Sequence, residues 1–198
     1  MKKILLAVAA AALMAIGAQA GETEEISEYS FTGMEHYVGI TANINQTSER
    51  LSDIDFGGYG GNEFTNAGFG IVAGKKLMQR DHIDVFVEGR IQKSFLMDEG
   101  ENIGTSSYAL YLKPQFTVFK HINLYGLLGV NMMKFEERNH KVTITKSSPA
   151  AGVGIQMNAR SNLAFILDAI WSGTDAQLNI FQEPVTHATL NVGVLYRF

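Results

Sequence analysis

The chain has 198 residues, a formal net charge of −4 and no cysteine. The length allows one domain or at most two small ones. Without cysteine there can be no disulfide framework, zinc–thiolate site, cysteine nucleophile or lipid-anchored cysteine. A weakly acidic chain without clusters of lysine and arginine is not expected to bind nucleic acid.

The first twenty residues have the pattern of a secretory signal peptide. Lys2 and Lys3 precede an apolar run from Ile4 to Ile16, and Ala18-Gln19-Ala20 follows as a small-x-small cleavage pattern. The run is shorter than the roughly 20 residues that a membrane-spanning helix needs. We therefore expect export and cleavage after residue 20. Residues 21–35 are acidic and irregular, and we interpret them as a periplasmic leader.

From residue 36 to the C-terminus, apolar and polar residues alternate, which is the pattern of β-strands with two different faces. Eight segments show it, at residues 36–46, 64–76, 82–96, 107–118, 122–134, 147–158, 162–172 and 186–198. The connections after the second, fourth and sixth segments are short, and the other connections are longer and more polar. This arrangement predicts an all-β fold, an eight-stranded antiparallel up-and-down barrel over residues 36–198.

The composition of the two faces indicates which one points inward. A soluble barrel such as a lipocalin buries its apolar face, whereas a membrane barrel inverts this order. Glycines gather on the polar face, where a narrow lumen needs small residues, and aromatic residues on the apolar face gather near the segment ends, as in interfacial girdles. The segments are also longer than typical soluble strands. These features favour a transmembrane barrel, which must close to pair its backbone, in the outer membrane of a Gram-negative bacterium.

In this combination the chain resembles the eight-stranded outer-membrane β-barrel family, which includes the OmpA transmembrane domain, OmpX-like and opacity-type proteins. The resemblance covers about residues 36–198 and includes a last strand that ends in Tyr196-Arg197-Phe198. It implies that Tyr196 and Phe198 contribute to the signal recognised by the barrel assembly machinery. The acidic leader departs from the family pattern.

The register of the segments predicts a polar network inside the barrel. Counting six residues from each short-turn end reaches about 15 Å from the rim, close to the middle of the membrane. The side chains at this height are Asn43, Glu88, Lys113, Asp168 and Asn191, with Arg90 one layer above. We expect Lys113 and Arg90 to neutralise the two carboxylates, because a lone buried charge costs several kcal/mol. The network could gate a narrow pore or plug the lumen, and the small cross-section of eight strands favours the plug.

Other groups of residues are weaker candidates for a functional site. The run Gly57-Gly58-Tyr59-Gly60-Gly61 lacks the Lys-Ser/Thr of a phosphate loop. Asp53, Asp55 and Glu63 could bind calcium but lack the spacing of an EF-hand. The five histidines form no His-x-x-x-His pair. No catalytic residue, cofactor site or metal site is therefore predicted.

The predicted function is that of a non-enzymatic outer-membrane protein with a structural, adhesive or surface-interaction role. Its specificity would lie in the four long extracellular loops, because loops on a rigid scaffold usually carry binding. The expected partners are outer-membrane lipid and lipopolysaccharide, the barrel assembly machinery, and a host or cell-surface ligand. The alternatives are a narrow porin-like pore, a lipid-modifying enzyme that uses Ser172, His187 and Asp175, and a soluble lipocalin-like carrier.

Overall fold

The structure is a computed structural model that describes residues 36–48, 64–80, 83–96, 103–137, 142–159, 162–174 and 185–198. The predicted signal peptide, the leader, the motifs at residues 53–63 and Asp175 lie outside these residues. The eight strands are β1 (His36–Ser48), β2 (Phe64–Arg80), β3 (Ile83–Leu96), β4 (Ile103–Phe119), β5 (Ile122–Glu137), β6 (Val142–Asn158), β7 (Leu163–Thr174) and β8 (Val185–Arg197). In the part of the chain described, no helix is long and apolar enough to cross a membrane.

Each strand pairs antiparallel with its neighbours in sequence, and β8 pairs with β1, so the sheet closes into a barrel. The predicted fold is confirmed. The pairing is staggered: a row of partners that leaves β3 at Asp84 returns to β3 at Ser94, ten residues further along the strand. Such a stagger requires the strands to tilt against the barrel axis.

Six of the eight strands are longer than the alternating segments predicted, and β3 and β8 are not. Three of them, β2, β4 and β6, have 17 residues each. The predicted fourth and sixth segments begin at residues 107 and 147, but β4 begins at Ile103 and β6 at Val142. The reason is that hydrophobic alternation marks only the part of a strand that faces lipid, whereas backbone pairing continues beyond it, for instance between Thr143 and Glu136.

The faces are arranged as the inverted pattern predicts. Outward side chains such as Ile40, Phe69 and Leu128 are more than 60% exposed, whereas Lys113 and Glu88 inside the barrel are completely buried. Because the sheet is closed, the backbone N–H and C=O groups of its strands can all be hydrogen-bonded between neighbours, while apolar side chains face the lipid.

Some apolar residues do not follow the two-residue alternation of the sequence, among them Phe86, Leu127 and Leu195, and these also face the lumen. They form an apolar cluster with residues of the neighbouring strands. The larger aliphatic and phenylalanine members of this cluster are Val72, Phe86, Leu127, Ile166, Ile170 and Leu195. All are buried. The interior is therefore packed by apolar side chains as well as by polar ones, as expected of a lumen just wide enough for side chains.

Candidate functional site in the barrel lumen

The charged side chains of the lumen meet at β3. Glu88 and Arg90 lie two residues apart on this strand, so both face inward. Arg90 Nε donates to Glu88 Oε1 at 2.6 Å, and the two Nη atoms donate to the two oxygens of Asp168 at 3.0 and 2.8 Å. Arg90 thus bridges two carboxylates, one of them in the bidentate geometry that makes such pairs strong.

Lys113, on β4, neutralises Glu88 from the other side. Its Nζ atom donates to Glu88 Oε2 at 3.0 Å and to the Tyr37 hydroxyl at 3.3 Å, and that hydroxyl donates to the same carboxylate oxygen. The ammonium also lies 4.9 Å from the ring centre of Tyr37 and 4.2 Å from that of Tyr125. At these distances the electron-rich ring faces attract a cation, so Lys113 is held by one carboxylate and two aromatic rings.

Asp168, on β7, accepts hydrogen bonds from side chains on three other strands, β3, β5 and β8. Besides the two bonds from Arg90, it accepts hydrogen bonds from the Tyr125 hydroxyl and from Asn191 Nδ2, both at 2.7 Å. The Asn191 amide oxygen in turn accepts from Gln92 at 2.6 Å. Four donors on one carboxylate compensate for most of the water that the group loses on burial.

We call these seven side chains the lumen network: Tyr37, Glu88, Arg90, Lys113, Tyr125, Asp168 and Asn191. Two acidic and two basic groups give it a formal charge of zero. The ion-paired side chains are at most 1% exposed. A buried ion pair is stable only when hydrogen bonds replace the lost water, and here each charged group takes part in at least two hydrogen bonds, those of the ion pairs included. The arrangement is suited to closing the lumen rather than to moving an ion or a proton through it.

Of the six residues predicted for the network, five are linked by hydrogen bonds, and Asn43 is bonded to a side chain outside the network. Asn43 is the register partner of Asn191, but its amide oxygen accepts a hydrogen bond from Asn45 at 2.9 Å. Asn45 in turn accepts from the Thr189 hydroxyl at 2.7 Å. Asn45 also donates to the Ser94 hydroxyl of β3, so Asn43 belongs to a separate chain of uncharged side chains on β1, β3 and β8.

The prediction missed the tyrosines that complete the network. Tyr37 and Tyr125 share the lumen-facing parity of the charged residues, and that parity was the signal available in the sequence. Each ring lies over a glycine of the next strand: a Cβ added at Gly74 would meet the Tyr37 ring, and one at Gly154 would meet the Tyr125 ring. Glycines on the polar face therefore make room for large side chains.

Two of the residues considered for a lipid-modifying enzyme, Ser172 and His187, are described by the structure, and both are hydrogen-bonded to other groups. Ser172 and His187 are register partners on β7 and β8. The Ser172 hydroxyl donates to Met133 Sδ at 3.8 Å, while the His187 ring nitrogens contact the hydroxyls of Thr47 at 2.9 Å and Thr189 at 3.2 Å. The nucleophile and the base are thus engaged with other groups. Among the described residues, no cluster of histidine and acidic side chains could hold a metal ion.

The C-terminal strand closes the barrel at the short-turn end. The backbone of Phe198 and that of His36 exchange hydrogen bonds of 3.1 and 3.3 Å, and their rings stack with centres 5.9 Å apart. Tyr196 and Phe198 both face outward and are about half exposed. Their role as a signal for the assembly machinery stays a prediction.

Comparison with known proteins assigns this chain to a family. The family model described as "Outer membrane protein beta-barrel domain" matches residues 6–198. The chain belongs to this family. It is thus an outer-membrane β-barrel protein, as its sequence pattern predicted.

One curated relative and several solved structures are similar to this outer-membrane barrel. The attachment invasion locus protein of Yersinia enterocolitica is 28% identical over 93 residues, which are 46% of this chain and 48% of that protein. The matched part is therefore about half the length of the relative. The crystal structure of Ail from Yersinia pestis covers 83% of this chain and 99% of its own, with a TM-score of 0.52 and 21% identity.

Neisserial surface protein A is similar to the same extent. Its crystal structure covers 82% of this chain and 97% of its own, with a TM-score of 0.56 and 15% identity. At these identities the two solved structures support the fold alone.

Proposed function

We propose that this outer-membrane barrel is a non-enzymatic scaffold with a closed lumen, which holds the segments between its strands at the cell surface for attachment. The observation that supports a closed lumen is the lumen network. Its ion-paired side chains are all but inaccessible to solvent, and an apolar cluster packs around it. A barrel sealed in this way gains rigidity rather than permeability.

The attachment role is supported by the relative that is named for attachment and invasion. Four segments join the strands at the end opposite the short turns: residues 49–63, 97–102, 138–141 and 175–184. We propose that this end faces the cell exterior and that these four segments, the outer loops, bind the ligand.

The charge of the outer loops favours one class of ligand. Their sequences contain nine acidic and three basic residues. A negative surface attracts basic partners and repels polyanions. Ail from Yersinia pestis has been crystallised with the heparin analogue sucrose octasulfate, but for this chain we propose a protein ligand with a basic surface instead.

Surface attachment is tested by displaying the full chain on a non-adherent bacterium and measuring binding to host cells and purified matrix proteins. Changing Glu49, Asp53, Asp55 and Glu63 to the corresponding amides should weaken binding severalfold, and added salt should weaken binding by the wild type. The matched control neutralises Arg138 and Lys141 instead and should leave binding unchanged or stronger. Absence of binding by the wild type, or tighter binding of the displayed chain to immobilised heparin than to any host protein, would contradict the proposal.

The closed lumen is tested separately by recordings in planar bilayers. Wild-type protein and Lys113→Ala should both be silent, because the apolar cluster and the tyrosines remain in place when one ammonium is removed. Discrete conductance steps in the wild type would show a pore and refute the plug. A lipid-modifying activity is excluded if purified protein and Ser172→Ala release equal, background amounts of fatty acid from lipopolysaccharide.

A further inference from the structure

The wall of the barrel is interrupted between β6 and β7, near the end that joins the outer loops. The two strands pair as far as Ala150 and Ser172, and no pair joins their described residues beyond this point. Both strands nevertheless continue, β6 to Val142 and β7 to Thr174. On its other side, β6 stays paired with β5 over its full length. A gap therefore separates the ends of β6 and β7.

A proline explains why the pairing stops. Pro149 directly precedes the last paired residue of β6 and has no backbone N–H to donate. Its pairing with Val130 of β5 is intact, so the missing donor is the one directed towards β7. Opposite it lies Gly173. At the outward-facing Gly89 and Gly126, an added Cβ would lie 4.0 Å from a backbone oxygen of the next strand, whereas at Gly173 no described atom lies within 4 Å. We call this gap between Pro149 and Gly173 the notch.

The notch lies at the boundary between hydrocarbon and headgroups. Pro149 is nine residues from Asn158, the short-turn end of β6, and Gly173 is ten residues from Leu163, that end of β7. At about 3.3 Å per residue and a tilt of about 40°, these separations correspond to heights of roughly 23 and 25 Å. The apolar band of such barrels is about 25 Å tall. Trp171, two residues below Gly173, faces outward, as interfacial tryptophans do. A molecule dissolved in the leaflet can therefore reach the notch.

Two polar side chains behind the notch have unused hydrogen-bonding groups. Ser148, next to Pro149, and its register partner Asn131 on β5 face the lumen, and each is 5% exposed. Among the described residues, neither the Ser148 hydroxyl nor Asn131 Oδ1 has a hydrogen-bond partner. Across the notch, the Ser172 hydroxyl donates to Met133 Sδ at 3.8 Å, which is a weak acceptor. Because an unpaired buried polar group is unfavourable, these groups favour the binding of a polar ligand.

The unused groups select the chemistry of that ligand. Asn131 Oδ1 can only accept a hydrogen bond, whereas the Ser148 hydroxyl can donate one. A single hydroxyl on the ligand satisfies both, since it donates to the first and accepts from the second. Lys146 lies two residues above Ser148, but its side chain is exposed to water. An ionised head group beside Ser148 would thus lose its water without gaining a buried counter-charge, so an uncharged head is favoured.

The outer surface below the notch has room for an alkyl chain. Ala151 follows on the outward face of β6 and pairs with Trp171 of β7. The methyl group of Ala151 is exposed beside the larger indole ring, and Val153 continues the apolar surface towards the membrane centre. A ligand with its hydroxyl in the notch would therefore keep its chain in contact with both protein and lipid.

We propose that the notch admits the hydroxyl head of an uncharged, single-chain amphiphile, such as a long-chain alkanol or a monoacylglycerol. The hydroxyl binds between Asn131 and Ser148, and the chain lies outside the barrel along Ala151 and Trp171. The site is above the lumen network, since Asp168 is five residues below Gly173 on β7. It is therefore compatible with a closed lumen, and it stands or falls independently of the attachment function proposed above.

The test is photolabelling of the full-length protein in phosphatidylcholine bilayers. The probe is an alkanol with a diazirine next to its hydroxyl, and mass spectrometry locates the labelled residues. Labelling at Asn131, Ser148 and Ser172 should saturate and should be prevented by excess dodecanol. Ser148→Ala and Asn131→Ala should each weaken the affinity about fivefold, the usual contribution of one hydrogen bond. Pro149→Val should abolish the saturable labelling, because it restores the N–H that can extend the ladder to β7.

Pro114→Val is the matched control and should be labelled like the wild type. Pro114 also interrupts a ladder, between β4 and β5, but it lies in the short-turn half of the barrel. A photoreactive alkane without the hydroxyl should label lipid-facing side chains without saturation.

Three results would overturn the proposal. The first is saturable labelling of Pro149→Val equal to that of the wild type, in protein with normal heat-modifiable mobility on gels. The second is equal competition by ionised dodecanoate, because the notch would then accept a charged head. The third is unchanged affinity in both Ser148→Ala and Asn131→Ala, which is the result expected if these two side chains bind water only.

Discussion

Replacing Asp168 by alanine is the sharpest test of the lumen network. The change removes the acceptor of four hydrogen bonds, two of them from the Arg90 guanidinium. It leaves two basic groups and one carboxylate in a part of the lumen from which water is excluded. Arg90 keeps its single bond to Glu88, so the lumen would carry an uncompensated positive charge.

The expected loss of stability follows from the burial of the pair. Removing one partner of a fully buried ion pair costs about 3–5 kcal/mol, because the remaining charge stays buried without compensation. The Arg90 and Asp168 side chains are 1% and 0% exposed, so they fall in this class. By contrast, Asp84 near the short-turn end pairs with Lys76 at 3.4 Å, and both side chains are partly exposed. A partly exposed pair should contribute less than a fully buried one, since exposed pairs contribute only about 0–1 kcal/mol, so Asp84→Ala is the matched control.

The free energy of unfolding can be measured by reversible urea unfolding of the protein in lipid bilayers. The chain has a single tryptophan, Trp171, which faces outward, so its fluorescence reports on contact with lipid. Asp168→Ala should unfold at a clearly lower urea concentration than Asp84→Ala. If the two variants lose the same small amount of stability, water reaches Arg90 and the lumen is not sealed.

Two further changes probe the packing of the lumen and the position of the membrane. Gly154→Ala should lower the free energy of unfolding by about 1–3 kcal/mol, the usual cost of overpacking, because its Cβ would lie 2.6 Å from a side-chain carbon of the network. The control is Gly173→Ala, whose Cβ would have no atom within 4 Å. This control should cost less than about 1 kcal/mol. Leu128→Arg should cost about 2–4 kcal/mol if this exposed leucine faces the middle of the bilayer, whereas Thr145→Arg near the outer-loop end should cost about 0–1 kcal/mol. Both pairs can be measured by the same urea titration, and equal losses within a pair would contradict the assignment that it tests.

Much of the fold could be predicted because strand geometry is local. Successive side chains of a strand point to opposite faces, so one alternating run is enough to place Glu88 and Arg90 together on one side. The abundance of glycine on that side and of leucine, isoleucine and valine on the other then favours a lipid-facing exterior. The ends of β4 and β6 were misplaced, because polar strand residues beyond the membrane carry no hydrophobic alternation.

The contacts of the candidate site could be predicted only in part. Parity places Tyr37 and Tyr125 in the lumen, but it does not say which carboxylate each hydroxyl reaches. Leu127 and Leu195 do not follow the alternation of apolar and polar residues, and only the structure shows that they fill the lumen. Export through the signal peptide and the leader at residues 21–35 stay predictions.

The sequence by itself thus determined the strand count, the polarity of the two faces and the inward direction of the charges, since all three follow from a two-residue period. Only the tertiary structure decided that Arg90 of β3 reaches Asp168 of β7, 78 residues away, while Asn43 bonds elsewhere. The physical reason is that the sheet closes into a barrel. The ten-residue stagger and the narrow diameter of eight strands determine which side chains meet across the lumen, and the local sequence pattern contains no information about either.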